Sequence, residues 1–132
     1  MSHIVLRLHP NMDLRSALQA ECLRMGIFSG AIVTCVGSLQ QATLRLAGAD
    51  VIETRKGPFE ICSLVGTLTP DGVHFHISLA DAHGEMWGGH LCEGSPIHTT
   101  AEIVILDLSE HSLRRLFDPN TGYPELHVPQ KG

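Results

Sequence analysis

The stretch Gly72–His90, GVHFHISLADAHGEMWGGH, decides the fold and holds four histidines. Side chains alternate faces along a strand. Val73, Phe75, Ile77 and Leu79 therefore form one apolar face, and His74, His76 and Ser78 the other. Ala82-His83-Gly84 fits a three-residue hairpin loop, with Gly84 in the left-handed position such loops require. Asp81 then faces Glu85, and counting outward puts His76 opposite His90 and His74 opposite Cys92. A two-residue loop would shift the register by one and turn His90 to the apolar face. Gly88-Gly89, just before His90, lets another backbone or a ligand approach closely.

Opposed side chains start about 5 Å apart at Cβ, so His74, His76 and His90 can converge. Two readings follow. They can be the half-exposed polar face of an amphipathic strand, or they can ligate one divalent metal. Neutral imidazoles suit zinc, and also nickel, copper or iron. Three protein ligands leave one position open, as in catalytic rather than structural zinc sites. Cys92 and His98 are possible further ligands but read better as a packing residue and a strand-edge polar group. His83 belongs to the loop, and no role is assigned to His3, His9, His111 or His127.

Glu102 is the candidate catalytic residue. It lies in Ile97–Leu108, where Ala101, Ile103 and Ile105 share one face and His98, Thr100 and Glu102 the other. A carboxylate in so apolar a strand must find a partner or raise its pKa. It could orient a metal-bound histidine, serve as general base on bound water, or bond to a neighbouring strand or subunit. Glu60 carries the same ambiguity.

Outward from these segments, Ile4–Leu8 reads as an opening strand. Asn11–Met25 reads as a helix with Leu14, Leu18, Cys22 and Met25 on one stripe, capped by Asn11 or Asp13 and closed by Gly26. Ala31–Val36 and Ala42–Leu46 read as short strands separated by a turn at Gly37-Ser38. Phe59–Leu68, Val73–Ala80, Glu85–Cys92 and Ile97–Leu108 read as successive antiparallel strands, with Pro70-Asp71-Gly72 as a turn. Ser109–Phe117 reads as a short helix. The expected fold is α+β: a single domain over residues 1–132, ordered from about 3 to 126, with a mainly antiparallel sheet, one long N-terminal helix and a short C-terminal helix.

Composition narrows the function classes. The chain has 132 residues, 43% hydrophobic and 17% charged, with 9 Lys and Arg against 14 Asp and Glu. That balance offers no pull toward a polyanion, and the basic pairs Arg55-Lys56 and Arg114-Arg115 read as solvated faces. No apolar run approaches the roughly 20 residues of a membrane span, and MSHIVLRLHP lacks the plan of a signal peptide. Cys22, Cys35, Cys62 and Cys92 form no CxxC pair, and the first three sit among apolar residues. They read as free thiols in a reducing cytosol, so the expected location is cytoplasmic.

The blocks Gly57-Pro58-Phe59-Glu60-Ile61-Cys62-Ser63-Leu64-Val65-Gly66, His74–Asp81, Gly88–Leu91, Thr100–Ile105 and Asp118–Leu126 resemble, in order, the signatures of the PPC domain family (plants and prokaryotes conserved), in its stand-alone prokaryotic form. The resemblance implies a homotrimer, and in some prokaryotic members a metal such as zinc on histidines that correspond to His74, His76 and His90. Plant members carry AT-hooks ahead of the domain and regulate DNA. This chain has no Arg-Gly-Arg-Pro hook and no basic arm. The leading expectation is a homotrimer with a three-histidine zinc site and a small-molecule ligand, in a ligand-binding or regulatory role. The rivals are a metal-dependent hydrolase or lyase with Glu102 as base, and a DNA-binding regulator.

Overall fold

In the computed structural model, residues 2–130 are described. They form β1 (His3–Leu8), α1 (Leu14–Arg24), β2 (Gly30–Arg45), β3 (Ile52–Thr69), β4 (Gly72–Ala80), β5 (Met86–Leu91), β6 (Ile97–Asp107), β7 (Arg114–Asp118) and β8 (Tyr123–His127), with one 3-10 turn at Ser109–His111. Strands β1 to β6 make one sheet in the order β1-β6-β2-β3-β4-β5, and β7-β8 is a separate hairpin. Every pairing is antiparallel. Strand β5 also reaches the far end of β2, through Leu44↔Leu91 and Arg45↔His90. Strands β2 to β5 thus close into a ring.

The ring is filled by the alternating apolar faces. Phe75, Ile77 and Leu79 of β4, Leu91 of β5, Ala101, Ile103 and Ile105 of β6, and Leu39 and Leu44 of β2 are all buried. Leu14, Leu18 and Cys22 bring the buried stripe of α1 to the same core. Each large apolar side chain so buried stabilises the fold by about 1.5–3 kcal/mol. The helix start is fixed by Asp13, whose backbone is extended and whose Oδ2 accepts from the Ser16 N–H at 3.0 Å. Its Oδ1 accepts from Gly94 and Ser95 N–H, tying α1 to the loop before β6. Burial raises the Asp13 pKa, but these hydrogen bonds outweigh it and hold the carboxyl below its usual range.

The α+β expectation is overturned. The chain is 60% strand and 11% helix, an almost wholly β fold with one short helix. The N-terminal helix spans Leu14–Arg24 rather than residues 11–25, because Asn11 has φ +73° and Asp13 is extended. Met25, expected on the buried stripe, is exposed. The C-terminal helix over Ser109–Phe117 is not formed. Ser112 is left-handed after the 3-10 turn, and Arg114–Asp118 runs on as strand. The expected turn at Gly37-Ser38 is also absent, since β2 runs unbroken there with local register shifts. A Cβ on Gly37 would lie 2.0 Å from the Thr100 carbonyl oxygen, so this glycine admits the β6 backbone rather than turning the chain.

Candidate metal centre

The β4–β5 loop is the three-residue one. The Asp81 N–H donates to the Glu85 carbonyl at 2.9 Å, and Gly84 takes φ +82°. Asp81 Oδ1 accepts from the His83 and Glu85 N–H groups at 2.8 and 2.9 Å, which locks the loop length. The register then places His76 opposite His90. His74 does not meet Cys92, because β5 has by then swung to β2 and the Cys92 N–H donates to Thr43. Gly88 and Gly89 allow this double pairing. A Cβ on Gly88 would sit 2.7 Å from the Ile77 oxygen of β4, and one on Gly89 2.8 Å from the Arg45 oxygen of β2.

His74, His76 and His90 converge on the outward face of this hairpin. One nitrogen from each lies within 4.8 Å of the others. His74 Nε2 and His76 Nε2 are 3.1 Å apart. A tetrahedral zinc with bonds near 2.0–2.1 Å holds its ligands roughly 3.4 Å apart, so the spread fits after small ring rotations. His90 Nδ1 is buried without a hydrogen-bond partner among the described residues. Burial, then Arg45, His74, His76 and Arg15, push the His90 pKa down to about 4. Burial, then the neighbouring His76, Arg115 and Arg45, lower that of His74, with Glu125 opposing. Both rings are neutral near pH 7, the form that ligates a metal.

The other candidates fall elsewhere. Glu102 is exposed on β6, opposite Arg7 of β1 and Val36 of β2. His90 pairs with Arg45 of β2, nine residues beyond Val36, or roughly 30 Å of extended strand. Within one chain, Glu102 is not part of the histidine group. Glu60 and His98 are exposed on β3 and β6, and His83 on its loop. All four cysteines are free, with Cys22 and Cys35 buried and Cys62 exposed, contrary to its apolar sequence surroundings. Burial foremost, then the charge of Glu21 or Glu102, pushes the Cys22 thiol up to about 11 and the Cys35 thiol up to about 12.

Sequence reasoning missed the cations around the histidines. Arg15 of α1, Arg45 of β2 and Arg115 of β7 border a cavity of about 580 Å³ that His74 and His90 also line. Arg114, read as half of a solvated pair, grips Asp71 with Nε and Nη2 at 2.7 and 2.9 Å. Arg115 is half-buried and its Nη2 donates to Thr67 Oγ1 at 2.5 Å. The available signal was the Asp118–Gly122 turn followed by Tyr123–His127, which can join two strands of a hairpin as well as end a helix.

Residues 1–109 match the Plants and Prokaryotes Conserved (PCC) domain, the family resembled above under its other abbreviation. The chain belongs to this family. It is 47% identical over 123 residues to the bifunctional protein GlmU of Synechococcus sp. (strain JA-2-3B'a(2-13)), covering 93% of this chain. The chain spans about a fifth of the length of the curated relatives it matches. A hypothetical protein from Salmonella superposes with TM-score 0.93 at 35% identity, over 98% of this chain and 94% of that one. A candidate DNA-binding protein from Bacteroides thetaiotaomicron gives TM-score 0.87 at 25% identity, over 96% and 91%. A metal-containing protein from Archaeoglobus fulgidus gives TM-score 0.82 at 26% identity, over 95% and 92%. Among the described residues, no helix is long and apolar enough to cross a membrane.

Proposed function

We propose that this PCC-domain chain binds one divalent metal ion, zinc foremost, through His74, His76 and His90, and uses it in a ligand-binding or regulatory role as a homotrimer. The observation that carries the reading is the meeting of three histidine nitrogens within 4.8 Å, two of the rings held neutral by their surroundings. The Archaeoglobus protein of similar fold, named as metal-containing, supports it. When bound, the ion would supply a Lewis acid at the mouth of the neighbouring cavity. Elemental analysis tests the reading. One zinc per chain is expected in the wild type, and His76→Ala or His90→Ala, each removing a ligand, should weaken uptake by more than the roughly 10–100-fold that loss of an outer-shell partner costs. His83→Ala should leave it unchanged. Unaltered metal content in both ligand variants would place the ion elsewhere.

The trimer is supported by an outward apolar patch. Val5, Val36 and Val104 lie on adjacent strands of one outer face, with Val5 75% and Val36 59% exposed. A light-scattering mass three times the 14.3 kDa chain is expected. A mass of one chain would end this part of the reading.

Two rivals remain in view. A hydrolase or lyase reading draws on the open side of the histidine group and needs a base other than the same chain's Glu102. A DNA-binding reading draws on the Bacteroides neighbour and is opposed by the net charge of -5. Sub-micromolar duplex binding that survives physiological salt and competitor DNA would favour it.

A further inference from the structure

We propose that the cavity beside His74 and His90 binds a small organic anion, its carboxylate or phosphate group held by Arg45 and Arg115. The inference rests on the metal reading, because the anion would lie against the ion. The geometry begins with the sheet. Arg45 of β2 pairs directly with His90 of β5, which pairs with His76 of β4. Directly opposed residues share a face, so a cation and two histidines stand in one row. The second cation comes from the other side. Thr67 pairs with His74 across β3 and β4, and Arg115 bonds to Thr67. The C-terminal hairpin thus sets a guanidinium beside the first histidine, as β2 sets one beside the last. Arg15 of α1 lines the same cavity.

These cations are short of anionic partners. The Arg45 side chain makes no hydrogen bond or ion pair among the described residues, and its guanidinium lies 5.8 Å from the centroid of the Tyr123 ring. Arg115 spends its side chain on a neutral hydroxyl, and burial lowers its pKa despite Glu125. Arg15 has only Glu93, at 3.9 Å. Asp71, the other carboxylate at the rim, is already taken by Arg114. That leaves three guanidiniums facing Glu125 and a largely exposed Glu93, in a chain whose net charge is -5. The local field is positive where the whole molecule is negative. Guanidinium forks match the oxygens of carboxylate or phosphate.

The size and walls select a small ligand. A cavity of about 580 Å³ falls within the range of metabolite sites. Val73, Tyr123 and Pro124 supply apolar wall for the carbon part.

The test is calorimetry on the zinc-loaded full chain with three probes: inorganic phosphate, lactate, and lactamide as the uncharged counterpart of lactate. Phosphate or lactate should bind, whichever matches the group the site was built for, and lactamide should not. Arg45→Gln and Arg115→Gln should each weaken that binding by about tenfold or more, while Arg24→Gln, on the exposed face of α1, should not. Arg45→Gln decides the matter if Arg115→Gln fails to fold, since the Arg45 guanidinium has no hydrogen bond or ion pair to lose and touches only the exposed Tyr123 ring. Zinc content is measured on each protein in parallel. Full zinc content with no binding of either anion, with equal binding of lactamide, or with binding unchanged in Arg45→Gln, overturns the anion site and leaves the metal centre standing. Absence of zinc from the wild type sinks the metal reading and this inference with it.

Discussion

The molecule contains two hairpins of different character. The β4–β5 hairpin has one face wholly given to the core, with Phe75 and Leu79 fully buried and Ile77 nearly so. The β7–β8 hairpin contributes no buried residue, and Leu116, Phe117, Tyr123 and Leu126 are all exposed. The first is held by packing, the second by polar ties: Arg114 and the Arg115 N–H to Asp71, and the Arg115 side chain to Thr67. Both nevertheless deliver side chains to the same cavity. The cavity therefore joins a wall held by packing to one that is only tethered.

The sharpest way to break this contrast is a matched pair of truncations. Phe75→Ala should cost about 3–5 kcal/mol in urea unfolding, the loss expected for a core phenylalanine. Phe117→Ala, the corresponding change on β7, should stay within about 0.5 kcal/mol. Comparable losses would show that the C-terminal hairpin is packed against something in solution, as a partner subunit would do.

The next effect is a pH dependence confined to the histidine hairpin. In the metal-free protein the folded His90 pKa is about 4, against about 6.5 when unfolded. Between those values the unfolded chain binds the extra proton, so stability falls as pH drops from about 6.5 toward 4 and then levels. His74 acts in the same direction. Because both rings are partly solvated, the effect is modest. His90→Gln should flatten the profile, and a slope unchanged in that variant would assign the effect to other groups.

A smaller effect should follow from Asp71→Asn. The Arg114 guanidinium foremost, then the Arg115 backbone N–H, donate to the Asp71 carboxyl and hold its pKa down at about 2. With the charge gone, amide exchange in Arg114–His127 should quicken while the urea midpoint barely moves. Slow exchange in that variant would mean that packing, not the ion pair, anchors the hairpin.

The same contrast explains what the sequence could show. Where one face is buried, alternation and loop length fix each residue, so the His76–His90 pairing could be counted from Asp81 and Glu85. Where neither face is buried, the pattern carries no such constraint. SLRRLF has the spacing of a short helix, and only the left-handed Ser112 and the anchor at Asp71 turn it into strand. Gly37 deceived for a related reason, since a glycine that admits a neighbouring backbone looks like one that turns the chain. The cations were hidden because Arg15, Arg45 and Arg115 are brought together by three separate elements. Glu102 stood out for its apolar neighbours, yet its side of the strand is the outer face.

The ligands of the proposed ion all lie between positions 74 and 90, on one hairpin, whereas the arginines around the cavity come from positions 15, 45 and 115. Hairpins form within about 1–10 μs, while contacts of high sequence separation wait on the closure of long loops. The histidine group can therefore assemble in partly folded chains that have no anion pocket. Any affinity of such chains for the ion subtracts from the stabilisation that the ion gives the native state. An anion bound at the arginines would find no competitor of that kind, and its stabilisation should follow its native-state affinity in full.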